Sequence, residues 1–283
     1  MIPSIIFQAM LKTSHHGPVL RFESSRNLPL WGSYWTIAYY VDGMMVDTGC
    51  AHTTAQLVKA LADKPLTRVV NTHSHEDHIG GNGPLQTNRA GLEILAHPLA
   101  LPVLENPKET QPLHPYRKLF WGWPQPSAGK SLADGERIET EHYTFQVIYT
   151  PGHSPDHLCL YEPEQGWLFS GDLFVGGYDR ALRKESDIWA IISSLKLVTS
   201  LPVDTLFPGS ARVRQQPAEA LADKIAYLED LGGRVISLHQ KGWPQKAIVW
   251  EVCGGFMQVE AITLGHFSRQ HLVSSYIDNY TGK

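Results

Sequence analysis

The sequence predicts an α/β fold, and two observations predict it. Segments with strand-like and helix-like apolar spacing alternate along most of the chain, as expected where helices cover the faces of sheets. Of the 283 residues, 42% are hydrophobic and 18% charged, an ordinary balance for a globular chain long enough to bury a sizeable core. One domain over 1–283 is expected, with a helical C-terminal portion from about 217 to 283.

The elements follow in order. Residues 34–41 are rich in strand formers, and Asp42-Gly43 separates them from Met44-Met45-Val46. Asp-Gly between apolar runs is a strong hairpin signal. Residues 54–62 have helical spacing, with Leu57, Val58 and Leu61 on one face. Residues 68–71 form a short strand leading into a histidine cluster. Strands are expected at 143–149, 158–161, 167–169 and 205–207, and helices at 188–201 and 218–231. Near the C-terminus, Ser268 is placed to cap a helix whose apolar face is Leu272, Val273 and Tyr276. Residues 98–129 are rich in proline and carry Phe120, Trp121 and Trp123. They read either as a packed surface excursion or as a lid over a site.

Composition narrows the function. The net charge of −4 comes without a basic block, which disfavours nucleic acid as a partner. Cys50, Cys159 and Cys253 form no C-x-x-C pair, so they read as buried thiols in a reducing compartment. The apolar start MIPSIIFQAML lacks a basic beginning and a small-residue cleavage site. No stretch approaches the roughly 20 apolar residues of a membrane span. A cytoplasmic protein acting on a small molecule is expected, with a homodimer left open.

The chemistry concentrates in Thr72-His73-Ser74-His75-Glu76-Asp77-His78-Ile79-Gly80-Gly81. Imidazole nitrogen and carboxylate oxygen are the donors that zinc prefers. In extended backbone His73 and His75 point to one side, and a turn from Glu76 would swing Asp77 and His78 toward a second ion. Gly80-Gly81 would let backbone pack close behind the turn. A solvated polar loop is the competing reading, and one H-x-H alone would support it.

His73-x-His75-x-Asp77-His78 resembles the signature of the metallo-β-lactamase superfamily. The resemblance extends to Val46-Asp47-Thr48-Gly49, to 150–157 (TPGHSPDH), to Phe169-Ser170-Gly171-Asp172, and to Leu206-Phe207-Pro208-Gly209-Ser210. It implies a four-layered αβ/βα sandwich of the glyoxalase-II-like or general hydrolase branch, with its metals at one edge of the two sheets. By the same resemblance, His73, His75 and His153 would bind a first Zn²⁺, Asp77 and His78 a second, and Asp172 would bridge both. Iron and manganese are the alternatives to zinc. A bound divalent ion lowers the pKa of water from about 15.7 to about 7, and the resulting hydroxide would attack a carbonyl or phosphoryl centre. Asp77 would orient that nucleophile and pass its proton on. Asp47 reads as a support for a ligand histidine rather than a simple turn residue, and His157 as a pocket wall.

The sequence departs from the family at Ser210, where a final histidine is usual. The second site would then be weaker, or His239, His266 or His271 would fill the gap, or one ion would bind alone. The leading expectation is a hydrolase of an ester, thioester, lactone or phosphodiester. The alternatives are a mononuclear-iron oxidoreductase resembling persulfide dioxygenases, using His73, His75, His153 and Asp172, and a non-catalytic metal-binding protein. Without a visible export signal, a secreted β-lactamase is disfavoured.

Overall fold

The computed structural model describes residues 8–28, 32–111 and 114–280. Residues 1–7 of the apolar start, and Pro112 and Leu113 of the proline-rich excursion, lie outside the described residues.

Two sheets carry the architecture. The first runs in sequence order through β1 (Ala9–His16), β2 (Val19–Arg26), β3 (Thr36–Val41), β4 (Met44–Val46), β5 (Arg68–Val70), β6 (Glu93–Ala96) and β7 (Lys130–Ser131). Neighbours are antiparallel as far as β4 and parallel from there on. The second sheet contains β8 (Arg137–Glu139), β9 (Thr144–Tyr149), β10 (Leu158–Glu162) and β11 (Trp167–Gly171), with β13 (Thr205–Pro208) parallel to β11 and β14 (Arg214–Gln215) at the edge. A separate two-stranded ribbon pairs β12 (Leu182–Arg183) with β15 (Phe267–Ser268). The helices are α1 (Thr54–Ala60), α2 (Asn82–Asn88), α3 (Leu101–Glu105), α4 (Pro107–Thr110), α5 (Pro115–Phe120), α6 (Ile188–Thr199), α7 (Ala218–Gln240), α8 (Gln245–Cys253), α9 (Gln258–Ile262) and α10 (Arg269–Asp278).

The period of two along each strand sorts the core into layers. Tyr39, Met44, Val46, Val70, Leu158, Leu160, Phe169 and Phe207 meet between the sheets. Their immediate neighbours face outward. Ala38, Met45 and Val69 pack against Leu57, Leu61 and Leu85 of α1 and α2 or their flanks. Cys159, Leu168 and Leu206 pack against residues of α6, α7, α8 and α10. Helix, sheet, sheet and helix therefore stack as an αβ/βα sandwich.

Local chemistry explains several boundaries. Asp42 and Gly43 both take positive φ, 48° and 78°, the conformation a tight two-residue hairpin needs. Ser268 accepts from the His271 amide at 3.0 Å and starts α10, which buries Leu272, Val273 and Tyr276. The helix expected at 218–231 instead continues to Gln240. Its Gly232-Gly233 pair does not stop it: a Cβ on Gly232 would lie 2.7 Å from the Tyr276 ring, so this glycine lets α7 and α10 approach. β1 and β2 were not anticipated, because their polar run through Ser14, His15, Ser24 and Ser25 hides the strand pattern.

Strand ends position the functional residues. β4 and β5 run parallel in one sheet, and β11 and β13 in the other. Asp47 follows β4, the histidine cluster follows β5, Asp172 follows β11 and Ser210 lies just past β13. The sheets are tied at this edge by Tyr39 Oη donating to the Pro208 carbonyl at 2.7 Å and the Leu158 amide to the Thr72 carbonyl at 2.8 Å.

Candidate metal centre

Asp47 organises the loop after β5. Its Oδ1 accepts from the Thr72 amide, and its Oδ2 accepts from Thr72 Oγ1 and His78 Nδ1, each at 2.8 Å. To present the carboxylate this way the residue adopts φ 59°, in the left-handed region that aspartate tolerates better than most residues. The arrangement fixes two tautomers. Thr72 Oγ1 gives its only proton to Asp47, so it must accept from His73 Nδ1, 3.0 Å away. His73 Nε2 and His78 Nε2 are therefore the free nitrogens, and both rings are fully buried.

The three-histidine set comes together at one point. His73 Nε2 lies 2.9 Å from His75 Nδ1, which lies 3.0 Å from His153 Nε2. His73, His78 and Asp172 form a second group of convergent donors sharing the same first ring. His78 Nε2 is 3.5 Å from Asp172 Oδ2 and 3.9 Å from Asp77 Oδ2. His78 Nε2 and Asp77 Oδ1 are buried without a hydrogen-bond partner, an expensive state for polar atoms. A first-row divalent ion sits about 2.0–2.2 Å from nitrogen or carboxylate ligands, so donors this close can share one. The orphaned atoms and the donor types fit such ions.

Electrostatics favours positive charge here. Burial drives His73 and His75 well below the ordinary imidazole range, and His153 down to about 3. These rings are neutral nitrogen donors. His78 is opposite: burial pushes it down, but Asp172, Asp47 and Asp77 overrule burial and hold it well above its usual value. Burial lifts Asp77 to about 6, opposed by His78 and reinforced by Glu76 and Asp172. Asp172 is held well below the carboxylate range: burial alone would raise it, and His78, His153 and Ser210 outweigh that.

Ser210 faces the centre, donating to Asp172 Oδ1 at 3.0 Å. None of the three alternative histidines replaces it. His239 is exposed near the end of α7. His266 contacts the Tyr116 hydroxyl and stacks on His114 at 4.0 Å, and His271 lies 3.3 Å from the His266 carbonyl through Nδ1.

Several contributors escaped the sequence reading. His157 is more than a pocket wall: its Nε2 accepts the Asp172 amide at 3.2 Å, so its Nδ1 carries the proton facing Thr150 Oγ1 at 2.9 Å. Its spacing of four from His153 was visible, but no local signal pointed it at Asp172. Asp156 accepts from the Ser74 amide at 2.8 Å and from Ser154 Oγ at 2.6 Å, tying two ligand-bearing loops together. Glu76 forms a buried ion pair with Arg117 at 2.8 Å. Glycines make the approach possible. A Cβ on Gly209 would lie 2.8 Å from Asp172 Oδ1 and from His78 Cε1, and one on Gly80 would strike the backbone of Cys50 and Ala51.

A cavity of about 450 Å³ opens over the centre. Asp77, His153, Asp172 and Ser210 line it, together with the rings of Tyr34, Trp35, Tyr116, Phe120, Trp121 and Phe267. The proline-rich excursion thus contributes Phe120 and Trp121 to the cavity. Trp123 does not share that role, because it lines a separate crevice with Asn106 and Pro107.

Comparison with known proteins agrees with this geometry. The family model described as the metallo-beta-lactamase superfamily matches residues 38–210. A hydroxyacylglutathione hydrolase from Legionella pneumophila is 28% identical over 176 residues, covering 60% of this chain and 58% of that protein. A thioesterase, pkgB, from Emericella nidulans is 27% identical over 171 residues, covering 59% of this chain and 42% of its own. This chain thus spans about half the length of those two relatives. Among solved structures, TTHA1623 in a di-iron-bound form is 31% identical, with a TM-score of 0.53 and coverage of 66% of this chain and 93% of that one. No helix among the described residues is long and apolar enough to cross a membrane.

Proposed function

Because the chain belongs to the metallo-beta-lactamase superfamily, which the match over residues 38–210 shows, we propose that it is a zinc-dependent hydrolase of thioesters or oxygen esters. The observation that carries the proposal is the convergence of His73, His75 and His153 beside His78, Asp172 and Asp77, of which His153, Asp172 and Asp77 reach an aromatic-walled cavity. The names of the two relatives, a hydroxyacylglutathione hydrolase and a thioesterase, favour the thioester within that class.

His73, His75 and His153 would hold one ion, and His78, Asp77 and Asp172 the other, with Asp172 shared. Zinc suits a site built only of nitrogen and carboxylate oxygen. When bound, such ions supply Lewis acidity toward the substrate carbonyl and make water a stronger acid.

The chain's own residues do the rest. Asp47 and Thr72 lock His73 and His78 with Nε2 facing inward. His157 anchors the backbone of Asp172. Asp77 Oδ1, buried without a partner on the cavity floor, is placed to accept a proton from the attacking water and return it to the departing thiol or alcohol. Phe120 and Trp121 narrow the opening and keep bulk water from the acyl group.

Metal analysis on protein purified without chelators, followed by chelator titration and a panel of thioesters and esters, tests the proposal. Zinc should leave in two unequal steps, the second group first, because Ser210 offers it only a hydroxyl. Turnover should follow metal content, and Asp77→Asn should lower kcat by at least a hundredfold with the fold intact. Iron with sulfur-dependent oxygen uptake and no hydrolysis would replace this reading with an oxidoreductase.

A further inference from the structure

A second apolar volume adjoins the cavity over the metal centre. It is a crevice of about 450 Å³ between α5 and α9, bordered by Pro115, Leu119, Ala261 and Leu264. Tyr116 and Ile262 line both this crevice and the cavity that Asp77, His153 and Asp172 reach, so the two volumes are neighbours across these two side chains. Of the side chains lining the crevice only those of Gln258 and Tyr116 are polar, and the Tyr116 hydroxyl is already engaged by His266 Nδ1. No charged side chain lines it among the described residues. A charged occupant would lose its water there without gaining a partner, so the crevice suits an apolar, uncharged one.

The wall of this crevice is costly in the free protein. Leu264 takes φ 53°, in the left-handed region that a bulky side chain rarely enters, and it is 73% exposed. Gly265 follows at φ 82°, so the turn after α9 has a conformation that glycine adopts without strain. A leucine at 264 carries that strain and gains little packing in return. Strain of this kind persists where function uses it, and a ligand lying along the crevice would cover the leucine. The partition between the volumes is also light. α9 has no fully buried residue, and the half-buried Ile262 packs on the cluster of Tyr116 and Phe120. An element with few buried contacts opens at low cost, and displacing the Ile262 side chain joins the two volumes.

We propose that the crevice between α5 and α9 is an acyl-chain subsite: a linear apolar chain, attached to the carbonyl at the metal centre, runs past Tyr116 and Ile262 and lies against Leu119, Ala261 and Leu264. The substrate class is then a medium- or long-chain acyl thioester or ester. Continuity with the cavity names the occupant, because the two volumes share side chains and a gap between side chains admits a slim chain but not a ring. The word acyl rests on the hydrolase reading; the subsite itself stands on the shared wall and on Leu264.

The test reads binding and not turnover. Linear alkanohydroxamic acids of four to twelve carbons carry a head group that chelates a divalent ion, so each anchors at the metal centre and sends its chain outward. Calorimetry measures their binding, and that of cyclooctanecarbohydroxamic acid, to the full, metal-loaded wild type, Ala261→Trp and Leu264→Gly. Wild-type affinity should rise by about two- to fourfold for each added methylene, the upper value being full burial, and the linear nine-carbon acid should bind tenfold or more tighter than its cyclic counterpart. Ala261→Trp, which fills the crevice, should bind the four-carbon acid within about twofold of the wild type and the twelve-carbon acid at least tenfold more weakly. Leu264→Gly should melt no lower than the wild type, because it relieves the left-handed leucine, yet lose threefold or more at twelve carbons. A flat series in the wild type, or an equally steep one in Ala261→Trp, overturns the inference. If Ala261→Trp does not fold, an unchanged twelve-carbon affinity in Leu264→Gly overturns it alone. A wild-type dimer that Ala261→Trp splits in sedimentation also overturns it, by making a second copy the occupant. Thioester hydrolysis beside a flat series removes the subsite and leaves the proposed activity; a rising series with no hydrolysis of any thioester or ester removes the activity and leaves the subsite.

Discussion

Asp47→Asn is the sharpest probe of how the loop after β5 is held. The carboxylate accepts three hydrogen bonds of 2.8 Å, from the Thr72 amide, Thr72 Oγ1 and His78 Nδ1, and is 2% exposed. An asparagine fits the left-handed backbone but keeps only one acceptor oxygen. Its NH₂ must then face either the Thr72 amide or the pair formed by Thr72 Oγ1 and His78. Thr72 Oγ1 can turn to accept and the amide cannot, while His78 can accept only by moving its proton to Nε2, which turns a ligand nitrogen into a donor without a partner. At least one buried donor loses its partner, at a cost of about 1–3 kcal/mol. If the lost partner is His78, its ring is free to rotate or to change tautomer, and metal affinity falls by about 10–100-fold, as is usual when such a support is removed. Chelator competition and calorimetry on wild type and variant measure this. The expected result is a weakened second ion, a much smaller change at the three-histidine ion, and a lower melting temperature. Equal loss at both ions would mean that Asp47 acts through the whole loop and not through His78. An unchanged second ion would refute the reasoning.

Two further predictions follow from the same centre. Ser210→His should raise second-ion affinity tenfold or more in the same competition assay, because the position already touches Asp172 and imidazole is a better zinc ligand than a hydroxyl; parallel His239→Ala, His266→Ala and His271→Ala variants should retain both ions. Trp121→Ala should raise KM several-fold for substrates with an apolar acyl group, whereas Trp123→Ala, on a separate crevice, should leave steady-state kinetics unchanged.

The parts of this fold that were legible from sequence are those where chemistry is local. Asp42-Gly43 specifies its hairpin by backbone conformation alone, and Ser268 specifies the start of α10 through a hydrogen bond three residues away. The layers were legible as alternation, since Val69 and Val70 must face opposite sides of one sheet. The histidine string was legible because its residues are adjacent in the chain and their donor types are unusual together. What failed was whatever depends on a partner far along the chain. The helix expected to end at Leu231 runs on to Gln240 because its Gly232 packs against Tyr276. β1 and β2 pair in register over eight residues, but the exposed face of β1 leaves too few apolar residues to reveal the pattern.

The same distinction explains why the charged residues around the cavity were invisible. Arg117, Arg183, Glu76 and Glu185 are ordinary in sequence, and a buried arginine cannot be told from a solvated one by its neighbours. Glu76 sits within the histidine string, where it looks like one more donor for the metals. Arg117, 41 positions away, instead claims it at 2.8 Å. The same carboxylate is also the largest of the negative charges that favour the Arg183 guanidinium. Glu76 thus answers two buried arginines, Arg117 by direct contact and Arg183 at longer range. On this reasoning Glu76→Gln, which leaves a buried guanidinium uncompensated at a cost of about 3–5 kcal/mol, should lower the melting temperature by several degrees while the three-histidine ion is retained. A Glu76→Gln variant that melts with the wild type would show that this carboxylate does not hold the two arginines.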